Sequence, residues 1–265
     1  MTALRPVTVI TGASAGIGVE LARVFARHGH DLMLVARRAE RLDALADEIA
    51  ASGAARPLVL ACDLAAPGAA DAIAAALATA GAEPHYIVNN AGFGLVGRAA
   101  ELPRDEQLAM IDLNVRALTE LSLAFIDSLA RRQGGILNVA SIAGFVPAPG
   151  MAVYYASKAY VLSFTEALAS ELRPRGIRVT ALCPGPVKTE FAARAGVRRD
   201  HGPGLLSVPA ARVAEVGYRA LMAGRRRVIP GLLPRLVVAA MALVPNGLLL
   251  RIVERRQARR RAALG

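Results

Sequence analysis

The chain has 265 residues, 54% of them hydrophobic, which excludes a mainly disordered protein. Its net charge of +11 is concentrated at one end, because residues 224–265 contain ten arginines and one glutamate. This distribution, with only 4% aromatic residues, argues against a nucleic-acid-binding protein. Two cysteines, Cys62 and Cys183, do not make a disulfide framework, and the first residues lack the apolar stretch of a signal peptide. We therefore expect a cytoplasmic protein.

Short apolar runs alternate with helix-like stretches along the chain. The runs predict strands at 7–10, 31–36, 57–61, 86–91, 135–141, 177–183 and 226–229. Apolar residues at helical spacing predict helices at about 17–28, 42–53, 105–131, 153–173 and 209–223, the last with Ser207 as N-cap. An alanine-rich helix follows the third strand and ends at about Ala80. Such alternation predicts an α/β fold, a doubly wound parallel sheet of about seven strands with helices on both faces. Ligands of these sheets bind beyond the carboxyl ends of the strands, so the residues there are the candidates.

The first strand is followed by TGASAGIG (11–18), a glycine-rich turn that leads into a helix. Glycines allow a tight turn and close approach of backbone to ligand, and the helix points its amide end at a phosphate. An ordinary turn could look the same, but the position between strand and helix favours a dinucleotide pyrophosphate site. The candidate binding residues are Gly12, Ser14, Gly16, Ile17 and Gly18.

The second strand ends at Ala36-Arg37-Arg38. An acidic residue at about this distance from the first glycine would bind the ribose 2′-hydroxyl of NAD(H). Here two guanidinium groups stand in its place, and these can bind a 2′-phosphate. The pattern favours NADP(H), with NAD(H) still possible; the alternative is that both arginines simply begin a solvated helix.

Two further strand ends carry polar residues. Asp63, after the third strand, could accept a hydrogen bond from an adenine amino group or could cap the next helix. The fourth strand leads into NNAG (89–92), and Asn90, Ala91 and Gly92 suit a backbone that passes close to a ligand, or a plain turn.

The stretch MAVYYASKAY (151–160) places a lysine behind two tyrosines. Lys158 is one of only two lysines in a chain with 30 arginines. Residues three or four apart share a helix face, so Lys158 can meet either Tyr154 or Tyr155. Spacing alone leaves the choice open.

TGASAGIG, NNAG, Asn114, Ser141, YYASK and PGPVKT (184–189) occur in the order found in the short-chain dehydrogenase/reductase family, and the resemblance covers about residues 5–225. It implies a Rossmann-like fold and an NAD(P)-dependent oxidoreductase, and the family's Tyr-x-x-x-Lys pattern selects Tyr154. The catalytic residues that it implies are Asn114, Ser141, Tyr154 and Lys158. The residues that it implies near the nicotinamide are Pro184, Gly185, Val187 and Thr189. It also implies a homodimer or homotetramer, and a mobile substrate lid at 190–207.

Carbonyl reduction explains why these residue types are needed together. Hydride transfer builds negative charge on the carbonyl oxygen, and a tyrosine with a pKa near ~10 is a poor proton donor at neutral pH. An ammonium nearby would lower that pKa, so we expect Lys158 to lower the pKa of Tyr154. Ser141 would hydrogen-bond the substrate oxygen, and a kink at Asn114 would favour a functional role over that of an ordinary helix residue.

The C-terminal segment lies beyond this resemblance. We expect residues 1–224 to form the dinucleotide-binding and catalytic domain and 225–265 to form a basic hydrophobic extension. Leu236–Leu250 holds no charge, but it is short for a membrane span and is interrupted by PNG. It could cover the substrate site, form a subunit interface or contact an anionic inner membrane surface. All three suit a hydrophobic carbonyl substrate such as an acyl chain or a sterol-like ring.

Two function classes other than an enzyme are a non-catalytic protein on the same fold and the nucleic-acid-binding protein that the charge distribution argues against. A non-catalytic nucleotide-sensing or scaffold protein on the same fold would be favoured by loss of the tyrosine, lysine or serine, yet all three are present. The histidines at 28, 30, 85 and 201 do not form a metal-binding pattern. We expect no metal and no nucleic-acid partner.

Overall fold

The computed structural model describes residues 4–191, 195, 204, 206–251 and 254. Its seven strands form one sheet in the order β3-β2-β1-β4-β5-β6-β7, and all neighbouring strands are parallel. The strands are β1 (Arg5–Thr11), β2 (Asp31–Ala36), β3 (Leu58–Ala61), β4 (Ala82–Asn89), β5 (Gly135–Val139), β6 (Arg178–Leu182) and β7 (Arg227–Val228). The predicted seven-stranded doubly wound sheet is confirmed.

Helices cover both faces of this sheet. They are α1 (Ile17–Arg27), α2 (Ala39–Ala51), α3 (Ala69–Thr79), α4 (Arg104–Ile111), α5 (Leu118–Ala124), α6 (Ile126–Arg132), α7 (Ala152–Leu172), α8 (Ala210–Met222) and α9 (Leu232–Met241). Buried residues of α1, α2 and α8 pack on one face, and those of α3, α5, α6 and α7 pack on the other. A strand buried on both faces must be apolar on both sides, which explains the continuous apolar runs of the sequence.

Most predicted bounds differ from the structure by one to three residues, and three predictions differ in a way that has a physical reason. The helix predicted at 105–131 is interrupted by a π-helical segment at Asp112–Ala117 and by non-helical backbone at Phe125. Strand β4 begins at Ala82, earlier than predicted, because Pro84 lies where the pairing with β1 shifts register and is tolerated there. The N-cap prediction for Ser207 is wrong: α8 begins at Ala210 after Pro209, with no side-chain cap.

The amino end of the sheet, away from the strand ends just considered, holds a cluster of aromatic rings. His30 lies 3.3 Å from the Thr8 hydroxyl and 3.2 Å from the Tyr218 hydroxyl, with the Phe25 ring at 5.1 Å. Burial in this cluster lowers the pKa of His30 to about 4. Among the residues placed by the structure, no group of three histidine, cysteine or acidic side chains could hold a metal ion.

The C-terminal extension packs on the sheet domain through part of its surface. Pro234, Val238 and Leu249 are buried, and α9 contacts the 3₁₀ turn Ile142–Phe145. No helix within the described ranges is both long and apolar enough to cross a membrane. All of the arginines at 255–261 lie outside the described residues, as does most of the predicted lid, including His201.

Candidate active site

The glycine-rich turn and the NNAG segment pack against each other at the carboxyl ends of β1 and β4. The Asn90 side-chain amide donates to the carbonyl oxygens of Thr11 and Gly12, at 2.9 and 3.2 Å. The backbone N–H groups of Asn90 and Ala91 donate to the Thr11 hydroxyl at 3.0 and 3.1 Å. Two segments that sequence analysis selected separately therefore form one surface.

The three glycines of the turn are required by this packing. Gly12 and Gly16 have φ values of +65° and +59°, which side chains rarely allow. A Cβ atom on Gly18 would lie 2.6 Å from the Asn90 amide nitrogen and would also clash with the Gly12 carbonyl oxygen. Gly16 precedes α1 without any side-chain cap, so the first N–H groups of that helix, from Ile17 onwards, can bind a phosphate. This geometry fits a dinucleotide pyrophosphate.

The two arginines after β2 lie in different surroundings. Arg38 donates from Nη2 and Nε to the Ser14 hydroxyl, at 3.0 and 3.3 Å, while Arg37 is exposed. Glu190 binds Arg38 at 3.1 Å and Arg41 at 2.7 Å. These hydrogen bonds, from Arg41 first and then from Arg38, hold the pKa of Glu190 below its usual range. Sequence analysis missed both Arg41 as a member of this cluster and Glu190 as its counter-charge.

Asp63 follows β3 and is exposed. Its carboxylate accepts a hydrogen bond from the Ala65 N–H at 3.0 Å, within a local turn. Helix α3 begins later, at Ala69, and is preceded by Gly68. The alternative that Asp63 caps this helix is therefore wrong.

The loop after β6 joins the glycine-rich turn to the end of β5. The Pro184 carbonyl accepts hydrogen bonds from the Ile142 N–H at 3.0 Å and from the Ser141 hydroxyl at 3.5 Å. Gly185 follows, and a Cβ atom there would lie 2.9 Å from the Leu206 carbonyl oxygen. A side chain at this position would push two neighbouring backbone segments apart.

The same loop then runs back towards α1. Val187 packs against the layer formed by α1, α2 and α8, and the Thr189 side chain lies against Gly16, where a Cβ atom would be 3.0 Å from the Thr189 methyl carbon. Phe191 continues to the centre of the site, its ring 5.4 Å from that of Tyr154. The structure thus places the predicted nicotinamide residues between the phosphate turn and the tyrosine.

Asn114 is fully buried inside the π-helical segment. Its side-chain oxygen accepts from the Phe93 N–H at 3.1 Å, and its nitrogen donates to the Phe93 carbonyl at 2.9 Å and to the Ser157 hydroxyl at 3.1 Å. A Cβ atom on Gly92 would lie 2.9 Å from the Asn114 oxygen and 3.6 Å from the Lys158 nitrogen. The helix is therefore irregular at Asn114, and both Asn114 and Lys158 lie next to Gly92.

Tyr154 lies beside both the lysine and the serine. The Lys158 nitrogen lies 5.9 Å from the centre of the Tyr154 ring, and Ser141 is near enough to lower the pKa of the Tyr154 hydroxyl. The Tyr155 ring lies 6.1 Å from that of Tyr154 in an edge-to-face arrangement. Lys158 donates a hydrogen bond to the Val139 carbonyl at 2.8 Å. The choice of Tyr154 stays a prediction of the family pattern, and its position beside Lys158 is consistent with that choice.

Burial dominates the electrostatics of these side chains. It raises the pKa of Tyr154 to about 12, against a smaller lowering by the hydrogen bond with Ser141. It lowers the pKa of Lys158 to about 8. The expectation that Lys158 lowers the pKa of Tyr154 is wrong for this arrangement, because the ammonium points to a backbone carbonyl and desolvation outweighs the other effects.

The sequence model of the short chain dehydrogenase family matches residues 6–199. The chain belongs to this family. A curated relative, a sulfoacetaldehyde reductase of Chromohalobacter salexigens, is 40% identical over 185 residues, which are 69% of this chain and 72% of that protein. The chain is therefore an oxidoreductase of the short-chain dehydrogenase/reductase type.

Solved structures of the family extend this likeness. A short-chain dehydrogenase from Sphingobium yanoikuyae in complex with NADPH shares 33% identity, with 91% of this chain and 96% of that one covered and a TM-score of 0.77. A family member from Burkholderia phymatum in complex with NAD shares 25% identity, with 90% and 93% covered and a TM-score of 0.78. A 7β-hydroxysteroid dehydrogenase also shares 25% identity, with 95% and 98% covered and a TM-score of 0.84. A nicotinamide cofactor is supported, and both its forms occur among these relatives.

A small hollow adjoins Tyr154 in this family site. Sequence analysis did not select its lining, because its residues come from separate loops and helices with no shared motif. Gln107 contributes an amide, which donates to the carbonyl oxygens of Ala99 and Leu102 at 2.9 and 3.0 Å. The apolar side chains that line the hollow are Leu95, Ala99, Leu102, Met110, Met151, Ala152 and Val153.

Proposed function

We propose that this oxidoreductase reduces the carbonyl group of a hydrophobic small molecule with NADPH, or oxidises the corresponding alcohol. The observation that carries the proposal is the position of Tyr154 beside Ser141 and Lys158, next to a small hollow. The relative named as a sulfoacetaldehyde reductase acts on a small polar aldehyde by its name. Half of the residues that line the small hollow here are leucine, methionine or valine, and on this lining we base the proposal of an acyl-chain or sterol-like substrate.

The bound nicotinamide supplies or accepts the hydride. The Ser141 hydroxyl holds the substrate oxygen, and the Tyr154 hydroxyl gives that oxygen a proton. Lys158, with its pKa near 8, is charged at neutral pH and can orient the cofactor ribose. Asn114 holds the backbone at Phe93, and so fixes the wall of the site next to Gly92.

The cofactor contacts proposed for the chain follow the surface built by the two glycine-bearing segments. Gly12, Gly16 and Gly18 allow the pyrophosphate to approach α1. Asn90 supports this surface because its amide donates to the Thr11 carbonyl of the turn. Arg38, held by Ser14, is the residue that we propose to bind the 2′-phosphate of NADPH. Arg37 is exposed and is a weaker candidate than sequence alone indicated.

The cofactor preference is tested by fluorescence titration of the purified chain with NADPH and NADH. Arg38→Ala should weaken NADPH binding at least about tenfold and leave NADH binding nearly unchanged, since a charged hydrogen bond contributes roughly 1.5–3 kcal/mol. Arg37→Ala is the matched control and should change both affinities little. Equal loss for the two nucleotides in Arg38→Ala would contradict a 2′-phosphate site at this residue.

The chemistry is tested with a panel of long-chain and cyclic ketones. Tyr154→Phe should lower turnover at least about a hundredfold, as expected when a positioned acid–base group is removed. Tyr155→Phe, the adjacent tyrosine, should retain most of the activity. Comparable losses in both variants would contradict the assignment of Tyr154 as the proton donor.

We further propose a cytoplasmic homodimer or homotetramer. Helices α4, α5 and α7 expose the apolar side chains of Leu108, Ile111, Leu123 and Tyr160. Such apolar surface suits contact between copies of the chain. Both cysteines are free, as expected in a reducing compartment. Sedimentation velocity of Leu108→Glu/Leu123→Glu against the native chain tests this interface, and an unchanged oligomer would contradict it.

A further inference from the structure

Helix α9 has two apolar faces, and only one of them is covered by the sheet domain. Pro234 and Val238, one turn apart, are buried. Leu232 and Leu236, also one turn apart, are 72% and 56% exposed, and Leu243 beyond the helix is 87% exposed. A surface helix of a soluble domain ordinarily carries polar residues on its outer face. Here that face carries leucines and alanines, with Arg235 as the one charged residue of the helix.

Positive charge surrounds this leucine face. Arg225 and Arg226 are exposed just before it, Arg235 is exposed within it, and Arg251 is exposed just after it. The sequence continues with five more arginines between residues 255 and 261. No charged residue occurs from Leu236 to Leu250, so the charges flank the apolar stretch. This arrangement matches a surface with an apolar interior and negatively charged head groups.

We propose that the leucine face, defined as Leu232, Leu236, Leu243 and Leu248, docks on an anionic lipid surface. Each leucine would enter the boundary between head groups and acyl chains, and the flanking arginines would contact the phosphates. Charge complementarity selects lipid over a second copy of the chain. Two copies meeting through this face would bring together two segments that each carry ten arginines and one glutamate.

The docked orientation has a consequence for the active site, which rests on the proposed function. The buried side of α9 lies on the loops that hold Ser141: a Cβ atom on Gly185 would be 3.6 Å from Pro234, and α9 contacts the turn that begins at Ile142. A lipid surface on the outer side of α9 is therefore one helix away from the catalytic loops. A hydrophobic carbonyl compound could pass from the bilayer to the site without crossing bulk water.

The test is sedimentation of the full chain with vesicles, which needs neither substrate nor cofactor. Vesicles of equimolar phosphatidylcholine and phosphatidylglycerol should bind the native chain, and pure phosphatidylcholine vesicles should bind it much less. Leu236→Ser/Leu243→Ser should weaken binding to the mixed vesicles at least about tenfold, because two leucines lose their transfer from water. Leu4→Ser, an exposed leucine at the other end of the chain, should bind as the native chain does.

Three results would overturn the proposal. The first is no sedimentation of the native chain with the mixed vesicles. The second is unchanged binding in the double leucine variant, since the arginines alone would then account for the attraction. The third is a change of oligomeric state in that variant in the absence of vesicles, which would make the leucine face a contact between copies. Nucleotide titration of the same samples reports on the oxidoreductase site separately, so failure of one proposal leaves the other open to its own test.

Discussion

Replacing Lys158 by methionine should stabilise the fold while it removes activity. Lys158 is 5% exposed, and burial lowers its pKa from 10.5 to about 8. At about 1.36 kcal/mol for each pKa unit, keeping the ammonium charged at neutral pH costs the folded state on the order of 3 kcal/mol. Methionine has a similar length and no charge, and it loses a hydrogen bond to the Val139 carbonyl that contributes about 1 kcal/mol. The net gain in the free energy of unfolding is about 2 kcal/mol.

The stability gained by Lys158→Met depends on pH. The folded pKa of Lys158 lies below the unfolded value, so the folded chain holds fewer protons than the unfolded chain between about pH 8 and 10.5. The destabilisation is complete below pH 8 and fades as the pH rises through that window. The advantage of Lys158→Met should therefore be largest at neutral pH and should vanish by pH 10.5.

Thermal unfolding followed by circular dichroism at pH 7 and at pH 10 measures this difference. For a chain of this size, about 2 kcal/mol raises Tm by roughly 4–8 °C. Lys188→Met is the matched control, because the only other lysine is exposed and its replacement should change Tm little. A Lys158→Met chain that unfolds at or below the native temperature at pH 7, beside an unchanged control, would refute the reasoning, since the buried charge would then be fully compensated.

Three further predictions concern the cofactor turn, its counter-charge and the amino end of the sheet. Gly18→Ala should weaken nucleotide binding at least about tenfold in fluorescence titration, because its Cβ atom would lie 2.6 Å from the Asn90 amide, while Gly247→Ala, at a site with open space, should bind normally. Glu190→Gln should strengthen NADPH binding about threefold to tenfold without changing NADH binding, because it frees two arginines from exposed ion pairs; a parallel gain for NADH would contradict this. Burial lowers the pKa of His30 from 6.5 to about 4, so the unfolded chain binds a proton at a higher pH than the folded chain does. The free energy of unfolding should therefore fall by roughly 1–2 kcal/mol, after allowance for partial solvent exposure, as the pH drops from 6.5 to 4. Urea unfolding across that range should show a smaller fall in His30→Gln, and an equal fall would assign the effect to other groups.

The parts of the site that follow directly from sequence are those fixed by backbone geometry. A side chain at Gly12, Gly16 or Gly18 would clash with its neighbours or strain the backbone. Strands β1 and β4 are neighbours in the sheet, so the segments that follow them lie together. Helical spacing also limits the partner of Lys158 to two tyrosines. The choice of Tyr154 between them comes from the family pattern and stays a prediction, with its position beside Lys158 in its favour.

The parts that sequence missed depend on long-range packing. Nothing near Asn114 in the sequence indicates a π-helical segment, since the extra residue is accommodated by contacts with Phe93 and Ser157. Glu190 is separated from Arg38 by 152 residues, and their pairing depends on the path of the loop after β6. The shift of the Tyr154 pKa was mistaken in direction because burial cannot be read from a motif.

The strand order also has a consequence for synthesis of the chain on the ribosome. The amino-terminal strand β1 lies in the interior of the sheet, between β2 and β4, and the Thr11 hydroxyl bonds to the Val88 carbonyl 77 residues later. At about 5–20 residues per second, translation must continue for roughly 4–15 seconds before β4 can cover the open edge of β1. During that interval the nascent chain exposes an apolar strand edge with unpaired backbone groups. Chaperone binding to nascent chains of this protein is therefore expected to concentrate on the amino-terminal third and to end once β4 has left the exit tunnel.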